Sequence, residues 1–211
     1  MTGPIDAIMA FHNAFRHDMS DIDAAALESA RGKPGLTAKI ERFRFFNEVL
    51  VWHAHGEELA IFPALENIAP LVAEAYIRDH RGLDAAFDAL NTAVAAHDAL
   101  ETARASKAFK FHLDIHLDKE DAHVYRIIRE RLPMPDQGKA VGIMANEVPQ
   151  ERFPEVVAWM FPLLGIDDRV NMTTIWQMVM PPPAFAGAKE LIKMAIGNEF
   201  ADLVKRIPAL A

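Results

Sequence analysis

The sequence predicts an all-α protein, an antiparallel up-down four-helix bundle followed by a C-terminal extension of short helices. Apolar residues recur at spacings of three and four through the first 131 residues, which is the period of a helix with one buried face. No segment of the sequence shows the period-two alternation expected of a half-buried strand. Short breaks that contain Gly and Pro separate four long segments, as expected for helices that fold back on one another.

The four bundle helices follow in order along the chain. The first ends at the turn "RGKPGL" at 31–36, where Gly and Pro break the helix. The second is predicted from about Thr37–Asn67, and Pro63 inside it is expected to kink it or to end its regular part. The third is predicted over about Pro70–Asp98, because a proline is well placed to open a helix. The fourth spans about Glu101–Arg131.

These boundaries divide the chain into a bundle domain, residues 1–132, and a C-terminal extension, residues 133–211. The extension is rich in proline and in large apolar residues, as in "ERFPEVVAWMFPLLG", and this texture predicts three or four short helices. We expect it to pack on the bundle or to form the surface of a homodimer. The alternative is a lid that controls the access of small molecules to the bundle core.

Composition excludes several classes of function. The net charge of −8 argues against general affinity for nucleic acid or anionic membranes. No apolar run approaches the roughly 20 residues of a membrane span. The absence of cysteine excludes disulfides and thiolate metal sites, so a metal would be held by His, Asp, Glu or Tyr, a set that suits iron, manganese or zinc. No secretory signal is visible at the N-terminus, and a cytoplasmic location is the default expectation.

Each predicted bundle helix carries a histidine on its apolar face, and two carry a glutamate four residues later. A spacing of four places two side chains nearly above one another on the same face. His17 and His55 fall off these faces and are expected to point outward. The inward-facing residues are His12, His53, Glu57, His80, His116 and Glu120.

This convergence predicts a metal centre. A single buried histidine is usually a hydrogen-bonded core residue, but a buried glutamate is costly without a partner. Four histidines and two glutamates in one core are difficult to satisfy by mutual hydrogen bonds, whereas one or two cations would satisfy them together. Inward-projecting His and Glu side chains are an established way for a helical bundle to hold metal ions.

Four stretches of the chain resemble the hemerythrin-like, or HHE cation-binding, domain family. "HAHGEELAIFPAL" is similar to the second-helix motif of that family, and "HLDKEDAHVY" resembles its fourth-helix counterpart. "AFHNAFR" and "RDHRGL" resemble the histidine motifs of the first and third helices. Each motif alone is weak evidence, but the four occur in order over residues 5–131.

The resemblance implies a non-haem di-iron centre in which two carboxylates bridge two iron ions. A small gaseous or peroxide ligand, such as O₂, NO or H₂O₂, would bind or react there. A redox enzyme that decomposes peroxide or reduces NO, and an iron-responsive regulatory protein, are the alternatives. On the positions that match the family, the implied ligands are His12, His53, Glu57, His80, His116 and Glu120.

The chain departs from the oxygen-carrying members of that family at two points. Those carriers have a second histidine on the third helix, where this sequence has Tyr76 and Asp84 at the same spacing. They also place the fourth-helix carboxylate five residues after its histidine, which would be Asp121. We choose Glu120 because it fits the bacterial variant and the helical stripe, and His112 remains as an additional ligand or a supporting group.

Overall fold

The computed structural model describes residues 3–33 and 36–210, and it confirms the predicted all-α class. Every regular element in these residues is helical, and no strand occurs among them. None of the described helices is both long and apolar enough to cross a lipid bilayer.

Four long segments form the bundle, and the second and fourth each contain one wider π turn. A 3₁₀ turn, Pro4–Asp6, precedes the first segment. The segments are α1 (Ala7–Ala30); α2 (Leu36–Gly56), a π turn (Glu57–Ile61) and α3 (Phe62–Ile68); α4 (Ala73–Ala95); and α5 (Ala99–Lys119), a π turn (Glu120–Val124) and α6 (Tyr125–Arg131).

The rest of the described chain contains five further helices, one or two more than the sequence predicted. Three 3₁₀ turns, Gln150–Arg152, Gly197–Glu199 and Pro208–Leu210, join or end them. The helices are α7 (Met134–Asn146), α8 (Phe153–Leu163), α9 (Ile166–Val179), α10 (Pro182–Ile196) and α11 (Phe200–Arg206).

Two contacts join the first segment to the fourth, one near each end of α1. Near the start of α1, Arg129 of α6 pairs with Asp6. Near the other end of α1, Lys107 of α5 binds Asp23 at 2.6 Å. The first and fourth segments are therefore antiparallel to each other. In the same bundle α1 also packs on α2, and α4 packs on α5.

The polar side chains singled out above separate two apolar clusters. In the second segment Leu50 belongs to the larger cluster and Ile61 to the smaller one, with His53 and Glu57 between them. The larger cluster also contains residues of α8, α9, α10 and α11, so the C-terminal helices and the bundle share one apolar core.

Two contacts fix the C-terminal helices on the bundle. The indole Nε1 of Trp159 donates a 2.6 Å hydrogen bond to buried Asp18 of α1. A Cβ added at Gly56 would lie 2.9 Å from the Cα of Met144, so glycine allows α7 to approach the second segment at this point. The extension therefore covers the end of α2 that leads into the π turn.

Several predicted boundaries differ from the observed ones. The third helix begins at Ala73 and not at Pro70, because Leu71 adopts a φ of 69° and the side chain of Glu66 accepts the N–H groups of both Leu71 and Ala73. Asp98 does not continue that helix but caps the next one by accepting the N–H of Glu101 at 2.9 Å.

The second segment is interrupted next to Pro63, in line with the predicted kink or end of its regular part: α2 ends at Gly56, and a π turn precedes α3. Pro63 lies in the first turn of α3, directly after the π turn, where a missing N–H is tolerated. The segment therefore continues to Ile68. In the predicted turn at 31–36, Gly32 has a φ of 81°, and positions 34–35 lie outside the described residues.

Candidate metal centre

The six inward-facing residues of the sequence prediction meet in the middle of the bundle. Their side chains come from all four segments, and all six residues are buried. They form two groups that share Glu57: one with His12 and His53, the other with His80, His116 and Glu120.

The first group consists of close pairs of nitrogen and oxygen atoms. The Nε2 atoms of His12 and His53 are 3.0 Å apart. Oε1 of Glu57 lies 3.3 Å from Nε2 of His53 and 3.9 Å from Nε2 of His12. Ligand atoms that are each about 2.1 Å from one ion lie roughly 3–3.5 Å apart, so two of these spacings match those around a common cation.

The second group has similar spacings. Oε2 of Glu57 is 3.4 Å from Nε2 of His80, and Oε2 of Glu120 is 3.4 Å from Nε2 of His116. Glu120 also approaches His12 of the first group, at 3.6 Å through Oε2. Each glutamate therefore contacts histidines of both groups, which is the arrangement required of a bridging carboxylate.

Several atoms that face this centre have no hydrogen-bond partner among the described residues. They are Oε2 of Glu57, Nε2 of His80, and both carboxylate oxygens of Glu120. Buried polar atoms are nearly always paired, because an unsatisfied one costs roughly 1–3 kcal/mol. A donor set of nitrogen and oxygen whose unpaired atoms converge fits a metal ion.

Comparison with known proteins assigns this helical segment to a family. The model of the hemerythrin HHE cation binding domain matches residues 3–128. The chain belongs to the hemerythrin HHE cation-binding domain family. The resemblance inferred from the four histidine motifs is therefore confirmed, and the family's description agrees with a cation-binding centre among these side chains.

Curated relatives of this HHE chain are much longer proteins. Zinc finger protein BRUTUS of Arabidopsis thaliana is 26% identical over 185 residues, which cover 84% of this chain and 15% of the plant protein. Two BRUTUS-like zinc finger proteins of the same plant are 21% and 23% identical and cover 82% and 84% of this chain. The chain spans about 15–16% of the length of these relatives. No solved structure matches at a significant level.

The similarity to the plant proteins is not confined to the HHE bundle. The alignment with BRUTUS covers 84% of this chain, which is more than the part that residues 3–128 make up. The similarity therefore extends into the C-terminal helices that pack on the bundle.

Both glutamates of the HHE centre open a π turn. Glu57 begins the turn Glu57–Ile61, and Glu120 begins the turn Glu120–Val124. A π turn inserts one extra residue into a helix, and such turns occur frequently at functional sites. In each segment the extra residue rotates the helix after the glutamate relative to the histidine one turn before it.

The acid that follows each glutamate supports a histidine of another segment. Nδ1 of His12 donates to Asp121 at 2.7 Å, and Nδ1 of His80 donates to Glu58 at 2.9 Å. A hydrogen bond at Nδ1 fixes the tautomer in which Nε2 offers its lone pair to the centre. The sequence kept Asp121 as an alternative ligand, but the structure places it on the outer nitrogen of His12, where Arg16 also binds it.

Tyr125 is a member of the HHE centre that the sequence analysis missed. It is fully buried, and its hydroxyl donates a hydrogen bond to Oε1 of Glu57. Tyr125 follows the π turn that begins at Glu120. A regular 3.6-residue period does not include that turn, so periodicity did not place the tyrosine at the centre.

Four other candidates lie apart from the ligand atoms. The hydroxyl of Tyr76 donates to the backbone carbonyl of Lys119 at 3.3 Å, so this side chain belongs to the core of the bundle. The Asp84 side chain is 62% exposed and pairs with Arg81. His112 and His123 are exposed, so neither side chain reaches the centre.

The prediction that His112 is an additional ligand or a supporting group was wrong, because His112 lies outside the buried face of α5. Leu113, the residue after His112, is fully buried, whereas Phe111, the residue before it, is exposed. The predicted outward positions of His17 and His55 agree with the structure: both are exposed, and His17 donates to the carbonyl of Leu163 at 2.8 Å.

Burial and mutual charge set the protonation of the metal-free HHE centre. Burial lowers the pKa of His12, and it lowers the pKa of His116 to about 3. Burial, and then the charge of Glu57, raise the pKa of Glu120 well above its usual range. Burial also acts against ionisation of Glu57, but His53 and His80 outweigh it and hold the pKa of Glu57 well below its usual range. His12 and His116 are therefore neutral, which is the form that binds metal, whereas at His80 burial is outweighed by Glu57 and Glu58, which raise the pKa of that histidine.

Proposed function

We propose that the six residues hold two iron ions and that the loaded centre binds, or reacts with, a small gaseous or peroxide ligand such as O₂, NO or H₂O₂. The observation that carries the proposal is the contact of each glutamate with histidines of both groups. The donors are imidazole nitrogens and carboxylate oxygens, which suit iron. When bound, an iron pair supplies a redox-active Lewis acid at this point. The ligands would be His12, His53, Glu57, His80, His116 and Glu120.

The space beside the centre supports a small ligand. A cavity of about 30 Å³ is lined by His53, Glu57, His80 and His116, together with apolar residues of α2, α4 and α5. Its volume is about that of one water molecule. A diatomic molecule or peroxide is therefore a better match at the centre itself than an organic substrate.

The surrounding residues hold the centre in place and supply one proton donor. Asp121 and Glu58 orient two of the histidines, and Tyr125 keeps a hydroxyl on Glu57. Burial, and then the charges of Glu57 and Glu120, raise the pKa of Tyr125 well above its usual range, so it keeps its proton at neutral pH. We assign to it the role of a fixed hydrogen-bond donor in a centre that excludes bulk water.

The antiparallel up-down order of the four segments and a domain boundary near residue 132 belong to the same proposal. The opposed pairing of Asp6 with Arg129 and of Asp23 with Lys107 supports this order. The end of the matched segment, 3–128, supports the boundary.

A second candidate function is regulation through iron-dependent stability. The unpaired oxygens of Glu57 and Glu120 would destabilise the metal-free fold, and a cation would relieve that cost. A ligand that binds only the folded state raises stability in proportion to the logarithm of its concentration. Thermal unfolding with increasing ferrous iron tests this: a rising midpoint is expected, and an unchanged midpoint contradicts the regulatory role.

Metal analysis tests the principal proposal. We expect two iron ions per chain after anaerobic addition of ferrous iron and removal of the excess, measured by mass spectrometry of the metal. His116→Ala should reduce this number, whereas His112→Ala, on the exposed side of the same helix, should not. A wild-type chain that retains no iron or one ion, or a His116→Ala variant that retains two, contradicts the proposal.

A further inference from the structure

A second, much larger cavity lies between the bundle and the C-terminal helices. Its volume is about 580 Å³, and residues of α1, α2, α7, α8, α9 and α10 line it. Protein interiors are close-packed and have few voids larger than a water molecule. This volume falls within the roughly 300–1,000 Å³ of small-molecule binding sites.

The wall of this cavity selects an apolar organic molecule. Its side chains include Trp52, Phe153, Met172, Ile175 and Trp176. Aromatic and sulfur-containing side chains bury large apolar areas and adapt to irregular shapes. The volume is too small for a folded partner.

His53 connects the cavity to the metal centre. Of the six residues of the centre, His53 is the one that also lines this cavity. Its contacts with His12 and Glu57 both use Nε2, which leaves Nδ1 without a partner among the described residues.

Two other histidines of the centre donate a hydrogen bond from Nδ1 to an acid. Asp121 accepts from His12, and Glu58 accepts from His80. Asp79 lies 3.8 Å from Nδ1 of His116, beyond hydrogen-bond distance. A carboxylate at Nδ1 of His53 would give that ring the support that His12 and His80 have, and no described residue supplies one.

We propose that the cavity binds an amphiphile with an apolar tail and a carboxylate head, of the class of medium-chain fatty acids, and that the head lies at Nδ1 of His53. In the metal-free chain Nε2 of His53 donates to the lone pair on Nε2 of His12, so the neutral ring has a proton at Nδ1 for the head when its Nε2 binds a metal ion instead. The tail lies against the apolar wall, and the head takes the position that Asp121 has at His12. Burial of the tail does not require iron, so binding can be measured independently of the function proposed above.

Dodecanoate is the probe for the first experiment, and dodecanol is the matched ligand without the charge. Equilibrium dialysis of the full chain, metal-free and iron-loaded, should show one saturable dodecanoate site in both forms. A hydrogen bond to a charged group is the stronger kind, so dodecanol should bind the iron-loaded chain about tenfold more weakly than dodecanoate does. Absence of saturable dodecanoate binding in both forms overturns the proposal, and equal affinity for the two ligands overturns the assigned head group.

Two glycine variants locate the site. Gly142 lines the cavity in α7, and Gly187 lies in α10 outside the cavity; a Cβ at either position meets no atom within 4 Å. Gly142→Leu should weaken dodecanoate binding at least tenfold, and Gly187→Leu should leave it unchanged. If both folded variants, checked by circular dichroism, bind like the wild type, the cavity is not the site.

Tryptophan quenching tests the position of the bound ligand without a substitution that fills the cavity. Two of the three tryptophans, Trp52 and Trp176, line it. Dodecanoate brominated at its terminal carbon should quench the fluorescence of the wild-type chain. The quenching should be lost in a variant with Trp52→Phe and Trp176→Phe, and quenching that persists in that variant contradicts the assigned position.

Discussion

At the scale of single residues, the partner of the outer nitrogen decides what a histidine of the centre can do. Asp121→Asn removes the acceptor that holds His12, and loss of such a partner typically weakens metal binding about 10–100-fold. Asp118→Asn is the control, because Asp118 binds the same Arg16 but is 74% exposed. Competition with a chelator for ferrous iron measures both affinities, and equal affinities in the two variants would show that Asp121 does not support the centre.

The two tyrosines of the chain should respond differently to loss of their hydroxyls. Tyr125→Phe leaves a buried oxygen of Glu57 without its donor and should change iron affinity and the visible spectrum of the ferric protein. Tyr76→Phe removes a hydrogen bond to a backbone carbonyl and should cost about 1 kcal/mol of stability without changing the spectrum. An altered spectrum for Tyr76→Phe, with none for Tyr125→Phe, would reverse the two roles.

The sequence placed the candidate ligands better than it placed their supports. A histidine or glutamate that interrupts an apolar stripe reveals its face directly, and all six such residues meet in the structure. The partners of His12 and His80 lie on other segments, so their pairing depends on the packing of helices and on rotamers. His112 was misplaced because a line of 3–4 spacings does not fix the centre of a buried face.

At the scale of helices, the π turns decide which side chains reach the centre. Deletion of exposed Ala122 would convert the turn Glu120–Val124 towards regular α-helix and rotate α6 by about 100° relative to α5. We expect Tyr125 to lose Glu57, with loss of iron and a lower unfolding temperature. Ala122→Ser, which keeps the chain length, should retain both, and a deletion variant with wild-type iron content would contradict the importance of the turn.

Helix existence was predictable in the bundle, whereas helix irregularities were not. The apolar period continues on both sides of each π turn, so one inserted residue leaves no visible break in the pattern. The start of α4 depends on the side chain of Glu66, which accepts two N–H groups beyond Pro70. Such a local cap overrides the tendency of proline to open a helix.

At the scale of the whole molecule, the bundle and its extension share an apolar core. The boundary at residue 132 was predicted from a change in amino-acid composition, and composition carries no information about which surfaces are in contact. Phe15 and Phe46 of the bundle lie in the same cluster as Met160 and Ile192 of the extension. A bundle expressed without residues 133–211 would expose these side chains, so we do not expect it to keep the stability of the full chain.

Asp18 joins three parts of the molecule and gives this junction a pH dependence. It lies on α1, accepts from Trp159 of α8 at 2.6 Å and pairs with Arg42 of α2 at 2.6 Å. Burial raises the pKa of Asp18, although Trp159 and Arg42 partly oppose that shift. The folded state therefore binds this proton more tightly than the unfolded state, and the contribution of Asp18 falls as pH rises from about 3.8 through the folded pKa.

Asp18→Asn removes this titration while it keeps a side chain of the same shape. The loss of stability that it causes should be largest near pH 4 and should shrink towards neutral pH, with a slope below about 1.4 kcal/mol per pH unit. Urea unfolding of both metal-free chains across this range measures the difference, and Asp88→Asn, at an exposed position on α4, is the control. A difference that grows with pH would mean that the pairing with Arg42 outweighs burial, and that the ionised carboxylate stabilises the junction between the bundle and its C-terminal helices.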